Sequence, residues 1–161
     1  MKKTILILIL LPLFTFGQRE SKDSLQINEK ALGWFKSNYV EKSFKDPYSF
    51  KLMKISNSSI SFKQWILNDL ESAQRAISEY EQKKKLDKYE KELYDGTVKR
   101  RALYQEQLNT LTPEDSQKVK CYEILIDCYG ANSYGNLILS KYKFNFFTDK
   151  LPPVSYVQKV N

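Results

Sequence analysis

The sequence predicts an α+β fold, with an N-terminal helix packed on a small antiparallel sheet and a long helical hairpin inserted between the strands. Three observations carry this. Apolar residues recur at helical spacing between Leu25 and Phe44. Strict alternation flanks an Asn/Gly-rich segment between about residues 120 and 147. Between them, residues 64–111 are rich in Glu, Lys, Leu, Gln and Ala.

The chain opens with Met1-Lys2-Lys3, an apolar run from Ile5 to Phe16, and Gly17-Gln18. A basic start, about a dozen apolar residues and small residues before a polar one are the three parts of a secretory signal. We expect cleavage after Gly17, an exported protein (periplasmic or secreted), and one domain over residues 18–161. The apolar run is shorter than the roughly 20 residues a membrane span needs, and no cysteine beside the cut offers a lipid attachment point. No stable span is expected after its removal.

Loss of Lys2 and Lys3 lowers the net charge from +7 to +5, because 24 basic side chains then face 19 acidic ones. The excess lies in residues 18–63, with nine basic and five acidic side chains, whereas residues 64–111 hold nine of each. Export and the lack of a clustered arginine stripe argue against a nucleic-acid partner. The chain contains no histidine, which excludes Ser-His-Asp and Cys-His nucleophile pairs and histidine-ligated metals. No metal, cofactor or catalytic residue is assigned.

Residues 18–24 read as a polar leader. Ile27, Ala31, Trp34, Phe35 and Phe44 then follow a helical period, with Ser24 as a candidate cap. Gly33 lowers helix propensity by about 1 kcal/mol against alanine, so this helix must lean on packing. Asp46-Pro47 ends it, because proline disfavours helical backbone at the preceding residue. Residues 49–55 read as a strand with Phe50, Leu52 and Ile55 as its apolar positions, and Asn57-Ser58-Ser59 as a turn.

In the charged middle, Ile66, Leu70, Ala73, Ile77 and Tyr80 keep a coiled-coil-like interval. The rhythm slips, then resumes at Leu86, Tyr89 and Leu93, with Tyr104, Leu108 and Leu111 further on. An antiparallel hairpin accounts for this, its tip near Lys83–Asp87 or at the breaker Asp95-Gly96-Thr97. A tip at Gly96 leaves arms differing by roughly 25 Å at 1.5 Å per residue, which residues 112–118 barely bridge at about 23 Å. The earlier tip is favoured.

Thr112-Pro113 begins a short capped turn. Tyr122, Ile124, Ile126 and Cys128 alternate with Glu123, Leu125 and Asp127; beyond residues 132–136, Ile138, Tyr142, Phe144 and Phe146 alternate with polar residues and Leu139. This is a β-hairpin. On one strand Cys121 and Cys128 lie about 23 Å apart on opposite faces, too far for the roughly 7 Å a disulfide allows. Pro152-Pro153 cannot donate ladder bonds, so the tail from Leu151 is expected to wrap the surface.

The segments Lys45-Asp46-Pro47-Tyr48-Ser49-Phe50-Lys51 and Ala131-Asn132-Ser133-Tyr134-Gly135-Asn136 resemble those of small exported bacterial proteins with an LKDPxSFK segment and an AxNxF/YGG hairpin turn. The resemblance implies one strand and a hairpin forming a small sheet on the helix, and carries over no catalytic residue. This chain departs from the pattern at Asn136, where the second turn glycine would stand, and in its helical insertion.

The loop Asn132, Ser133, Tyr134 and Gly135 is the candidate binding element, because loops carry function disproportionately. The leading expectation is a non-catalytic exported protein that meets another envelope or extracellular protein through its helical hairpin. A binding module for an anionic glycan or lipid surface, using the basic N-terminal helix, is the alternative. A hydrolase built on Glu123 and Asp127 ranks third, since a carboxylate pair must converge across a cleft.

Overall fold

The computed structural model describes residues 22–160. The expected signal and its cleavage site therefore lie outside the described residues. The elements are α1 (Lys22–Phe35), a π-helical segment (Lys36–Val40) running into α2 (Glu41–Ser43), a 3₁₀ turn (Pro47–Ser49), β1 (Lys51–Ser61), α3 (Phe62–Glu81), α4 (Lys88–Thr110), α5 (Pro113–Gln117), β2 (Val119–Ala131), β3 (Leu137–Phe146) and β4 (Gln158–Val160). The sheet is antiparallel in the order β1-β2-β3-β4. The α+β expectation holds.

α1 buries Ile27, Ala31 and Phe35 on one stripe, the 3.6-residue period of a helix against a core. It begins earlier than expected. Residues 22–24 are helical rather than a leader, and Ser24 sits inside the first turn instead of capping it. Further on, Ser37 Oγ donates to the Gly33 carbonyl and Asn38 Nδ2 to the Trp34 carbonyl, both at 3.2 Å. Side chains thus take carbonyls there as the ladder widens into the π segment. The helix run stops at Ser43, and Asp46 accepts the Tyr48 N–H to cap the proline turn.

The core face of the sheet carries Ile124, Ile126, Cys128, Tyr142, Phe144 and Phe146. Phe35, fully buried, is its hub. Its ring stacks on Phe144 at 5.7 Å and 2° and on Tyr39 at 5.2 Å, and meets Tyr142 at 5.3 Å and Phe50 at 6.2 Å.

β1 extends to Ser61, so the turn expected at Asn57-Ser58-Ser59 is instead strand paired with Ile124, Glu123 and Tyr122. Asn57 faces the core and its Nδ2 reaches the Ser24 carbonyl and Oγ at 2.9 Å and Asn28 Oδ1 at 2.8 Å. These bonds, which a local turn propensity does not register, hold the strand to α1. Leu52 and Ile55 lie opposite Cys128 and Ile126, with a register shift at Met53 between them. That bulge explains their odd spacing: one extra residue returns both side chains to the same face.

The helical hairpin turns between Glu81 and Lys88, at the earlier of the two expected tips. Asp87 caps α4 with a reciprocal box: it accepts the Glu90 N–H, and Glu90 accepts its own. A capping box satisfies two otherwise orphaned donors, which starts α4 without a glycine. Gly96 lies inside α4 and its site breaks nothing. On α3 the expected seam holds, with Ile66, Ala73 and Ile77 buried. On α4 the expected apolar positions hold only in part. Tyr89 and Leu93 are exposed, while Tyr94, Thr97, Tyr104 and Leu108 turn inward, and Arg101 donates to Gln74 Oε1 across the pair at 2.8 Å. The inner stripe is mixed in polarity, so apolar periodicity selects the neighbouring stripe.

The tail also departs from expectation. Pro153 accepts the Phe147 N–H, Val154 is buried, and Gln158–Val160 pairs with Lys143, Tyr142 and Lys141 as a fourth strand. Proline forbids ladder donation only at its own position, and the chain re-enters the sheet five residues later.

Removing the Asn57 amide leaves the buried Asn28 carbonyl oxygen without its donor. Asn57→Ala is expected to cost about 1–3 kcal/mol, while Ser58→Ala on the exposed side stays within about 0.5 kcal/mol. Urea unfolding of both variants measures this; equal midpoints would refute the strut between α1 and β1.

Candidate functional site

The expected binding loop is a tight, self-satisfied turn. Asn132 Oδ1 accepts the N–H groups of Tyr134 and Asn136 at 2.9 and 3.0 Å, and the Gly135 N–H donates to the Asn132 carbonyl at 3.1 Å. Gly135 has φ +81°, in the left-handed region that glycine enters without steric cost. Asn132 and Gly135 therefore shape the turn. Ser133 and Tyr134 form its outer surface, and Tyr134 is 89% exposed.

The two segments that carry the sequence resemblance meet here. The Ala131 N–H donates to Ser49 Oγ at 2.7 Å, and Lys45 Nζ reaches the Ser133 carbonyl at 3.5 Å. A Cβ at Gly130 would stand 2.6 Å from the Phe44 ring. Only glycine lets that ring lie against the strand. Packing of Phe44 beneath the Phe35 cluster thus brings Ser43 and Lys45 to the end of the β2–β3 hairpin.

Between these parts lies an open cleft of about 270 Å³, lined by Ser43, Lys45, Asn132, Ser140, Tyr142 and Lys159 among others. Its lining includes two lysines and no carboxylate. Burial raises the Tyr142 phenol above its ordinary value, with Tyr39 adding to it, so its hydroxyl stays a donor at neutral pH. The loop was legible in the sequence; the lysines and Ser43 were not, because nothing local links residue 45 or 159 to residue 132.

The carboxylates singled out in the sequence, Glu123 and Asp127, do not converge on a cleft, and other acidic side chains are likewise held by lysines. Glu123 bonds Lys143, and Asp127 lies 3.9 Å from Lys141, both across the outer face of the sheet. Glu114 and Asp115 share Lys118, whose bond lowers the Asp115 pKa. Glu90 caps α4 and bonds Lys83, which holds its carboxyl below the usual range. Among the described residues no three His, Cys, Asp or Glu side chains gather as metal ligands, and no helix is long and apolar enough to cross a membrane.

Both cysteines are buried free thiols. Cys128 joins the core face; Cys121, opposite Ile60, lies on the other face at the end that α3 covers. Burial pushes each pKa from 9.0 up to about 11.

The hairpin has a further exposed feature. α4 displays Tyr89, Leu93 and Leu103. With Gly96 and Arg100 these fall on one helical stripe at the four–three interval of a coiled-coil seam, and nothing lies within 4 Å of a Cβ placed at Gly96.

Two measurements follow. Gly130→Ala should destabilise by about 1–3 kcal/mol through overpacking, and Phe44→Leu in the same chain should recover part of it, read by thermal unfolding as a double-mutant cycle. Additive losses would deny the Phe44–Gly130 contact. Second, the raised thiols favour the neutral form in the folded state, so their contribution is complete below about pH 9 and is lost as pH rises through about 11. Modification by a thiol reagent at pH 8 should be at least tenfold slower in native than in urea-unfolded protein; equal rates would contradict the burial.

No protein-family model, curated protein or solved structure matches the chain.

Proposed function

We propose that the protein is a non-catalytic exported interaction protein that docks a partner protein along the outer face of its α3–α4 hairpin. The observation that carries this reading is the exposed stripe of Tyr89, Leu93 and Leu103 on α4. A helix that turned its apolar residues only toward its neighbour would bury them. Here Thr97 occupies the buried inner position while Leu93 and Leu103, four and six residues away, are exposed. Gly96 lies on the same stripe with open space around it. Interior glycine costs a helix about 1 kcal/mol against alanine, and its bare backbone suits close approach by another helix. An amphipathic helix or helical pair is the partner geometry that a seam interval serves.

The basic amino-terminal region gives less support to a separate site on α1. Lys22, Lys30 and Lys36 are interspersed with Asp23 and Glu29 along that helix, whereas Lys45 and Lys51 of the same region sit at the far end of the sheet.

The test is a photo-reactive residue placed at Leu103 in protein exported by its host, with adducts identified by mass spectrometry. One dominant envelope or extracellular protein is expected, and Leu93→Asp should reduce its yield at least tenfold. The same probe at Leu67, exposed on α3 and not on α4, should not capture it. Equal capture from both positions, or no effect of Leu93→Asp, would overturn the reading.

A further inference from the structure

The exposed apolar residues at the end of the sheet opposite the helical hairpin form a second, independent surface. β1 and β2 meet the helical hairpin at Ser61 and Val119; the other sheet end holds Lys51, Ala131, Leu137 and the turn between β2 and β3. Around that turn Tyr134 is 89%, Leu137 60% and Leu139 55% exposed, and Ile138 is also exposed. Tyr48, in the proline turn bound to Ala131 through Ser49, is 98% exposed. By strand alternation Leu137 and Leu139 point to one face of the hairpin end and Ile138 to the other. Apolar side chains thus surround the tip on several sides instead of forming a flat patch.

Cations ring them. Lys45 and Lys159 line the cleft, Lys51 lies opposite Tyr129, and Lys141 stands on β3 two residues beyond Leu139. Asp127 partners Lys141 at 3.9 Å and Asp46 is engaged in capping its own turn. Among the described residues, no ion pair occupies Lys45, Lys51 or Lys159.

We infer that this tip docks on the surface of an anionic lipid bilayer, with Tyr134, Tyr48, Leu137 and Ile138 entering the interfacial layer and Lys45, Lys51 and Lys159 meeting head-group phosphates. Two physical requirements are met together. Tyrosine suits the interface because its ring is apolar and its hydroxyl wet. Lysines beside an apolar patch gain from the negative surface potential of anionic lipid over about a Debye length. A protein partner would be served by the apolar residues alone. The lysine-lined cleft without a carboxylate selects phosphate, and its hydroxyls from Ser43, Ser140 and Tyr142 add neutral donors. The site is independent of docking on α4, and of α1.

The test is co-sedimentation of the exported protein, its amino terminus defined by mass spectrometry, with phosphatidylglycerol–phosphatidylcholine vesicles and with phosphatidylcholine alone. Binding to the anionic vesicles is expected, falling steeply between 0.05 and 0.5 M salt. Lys45→Gln and Lys159→Gln should each weaken it roughly fivefold. Tyr134→Ser with Leu137→Ser should weaken it at least tenfold, and Tyr134→Trp should retain it. All these positions lie at the surface or cleft rim, and unchanged thermal unfolding verifies the fold of each variant. Equal binding to neutral vesicles, or insensitivity to both the lysine and the Tyr134/Leu137 changes, would overturn the proposal. Competition by millimolar glycerol 1-phosphate, with the Tyr134/Leu137 variant binding vesicles as well as the unmodified chain, would assign the cleft to soluble phosphate compounds and equally overturn it.

Discussion

The aromatic cluster around Phe35 is the interaction on which the rest of the molecule depends. One ring, fully buried, touches the π segment through Tyr39, the residue leading into β1 through Phe50, and β3 through Tyr142 and Phe144. Ring pairs of this kind add about 0.5–1.5 kcal/mol each beyond the area they bury. The consequence reaches beyond stability. Tyr39 and Phe50 both meet Phe44, and Phe44 in turn lies on Gly130, so the cluster sets where Lys45 and the proline turn stand against the hairpin tip. A surface feature is thereby positioned by core packing.

The sheet is used unequally on its two faces. α1 covers the even-numbered side of β2, where Ile124, Ile126 and Cys128 are buried. On the odd-numbered side α3 covers only the end with Cys121; beyond it Glu123, Leu125 and Asp127 face outward, with lysines of β3 beside them. Cross-strand charge pairs on a half-exposed face contribute modestly. Their arrangement explains why carboxylates spaced four apart along a strand need no chemistry to account for them.

Much of this was legible in the sequence because local pattern and tertiary structure agree. The alternation of Tyr122 through Cys128, the Asn/Gly turn and the stripe of α1 each encode their own geometry. Where reading failed, a partner distant in sequence decided. Asn57 has turn propensity, yet its amide is captured by Ser24 and Asn28. At Gly96 the reading holds for a local reason: the Asp87–Glu90 box starts the helix earlier and carries it through, at the tip the arm lengths favour. Tyr89 and Leu93 look like seam residues because they are apolar, but the inner stripe of α4 holds Tyr94 and Thr97. The cleft shows the same division. Asn132 and Ser133 were visible as a loop, while Lys45 and Lys159 arrive from either end of the chain by way of α1 packing and a three-residue edge strand.

The placement of β2 has a mechanical consequence. Its first residue joins the helical hairpin through α5, and its last enters the tip of the sheet. Any pull exerted between those ends travels along this strand, which is flanked by β1 on one side and β3 on the other. Its hydrogen bonds lie across the direction of load, so neighbouring strands must slide past it with many bonds yielding together, instead of peeling apart one bond at a time. A lengthwise pull on β2 would therefore meet resistance in shear.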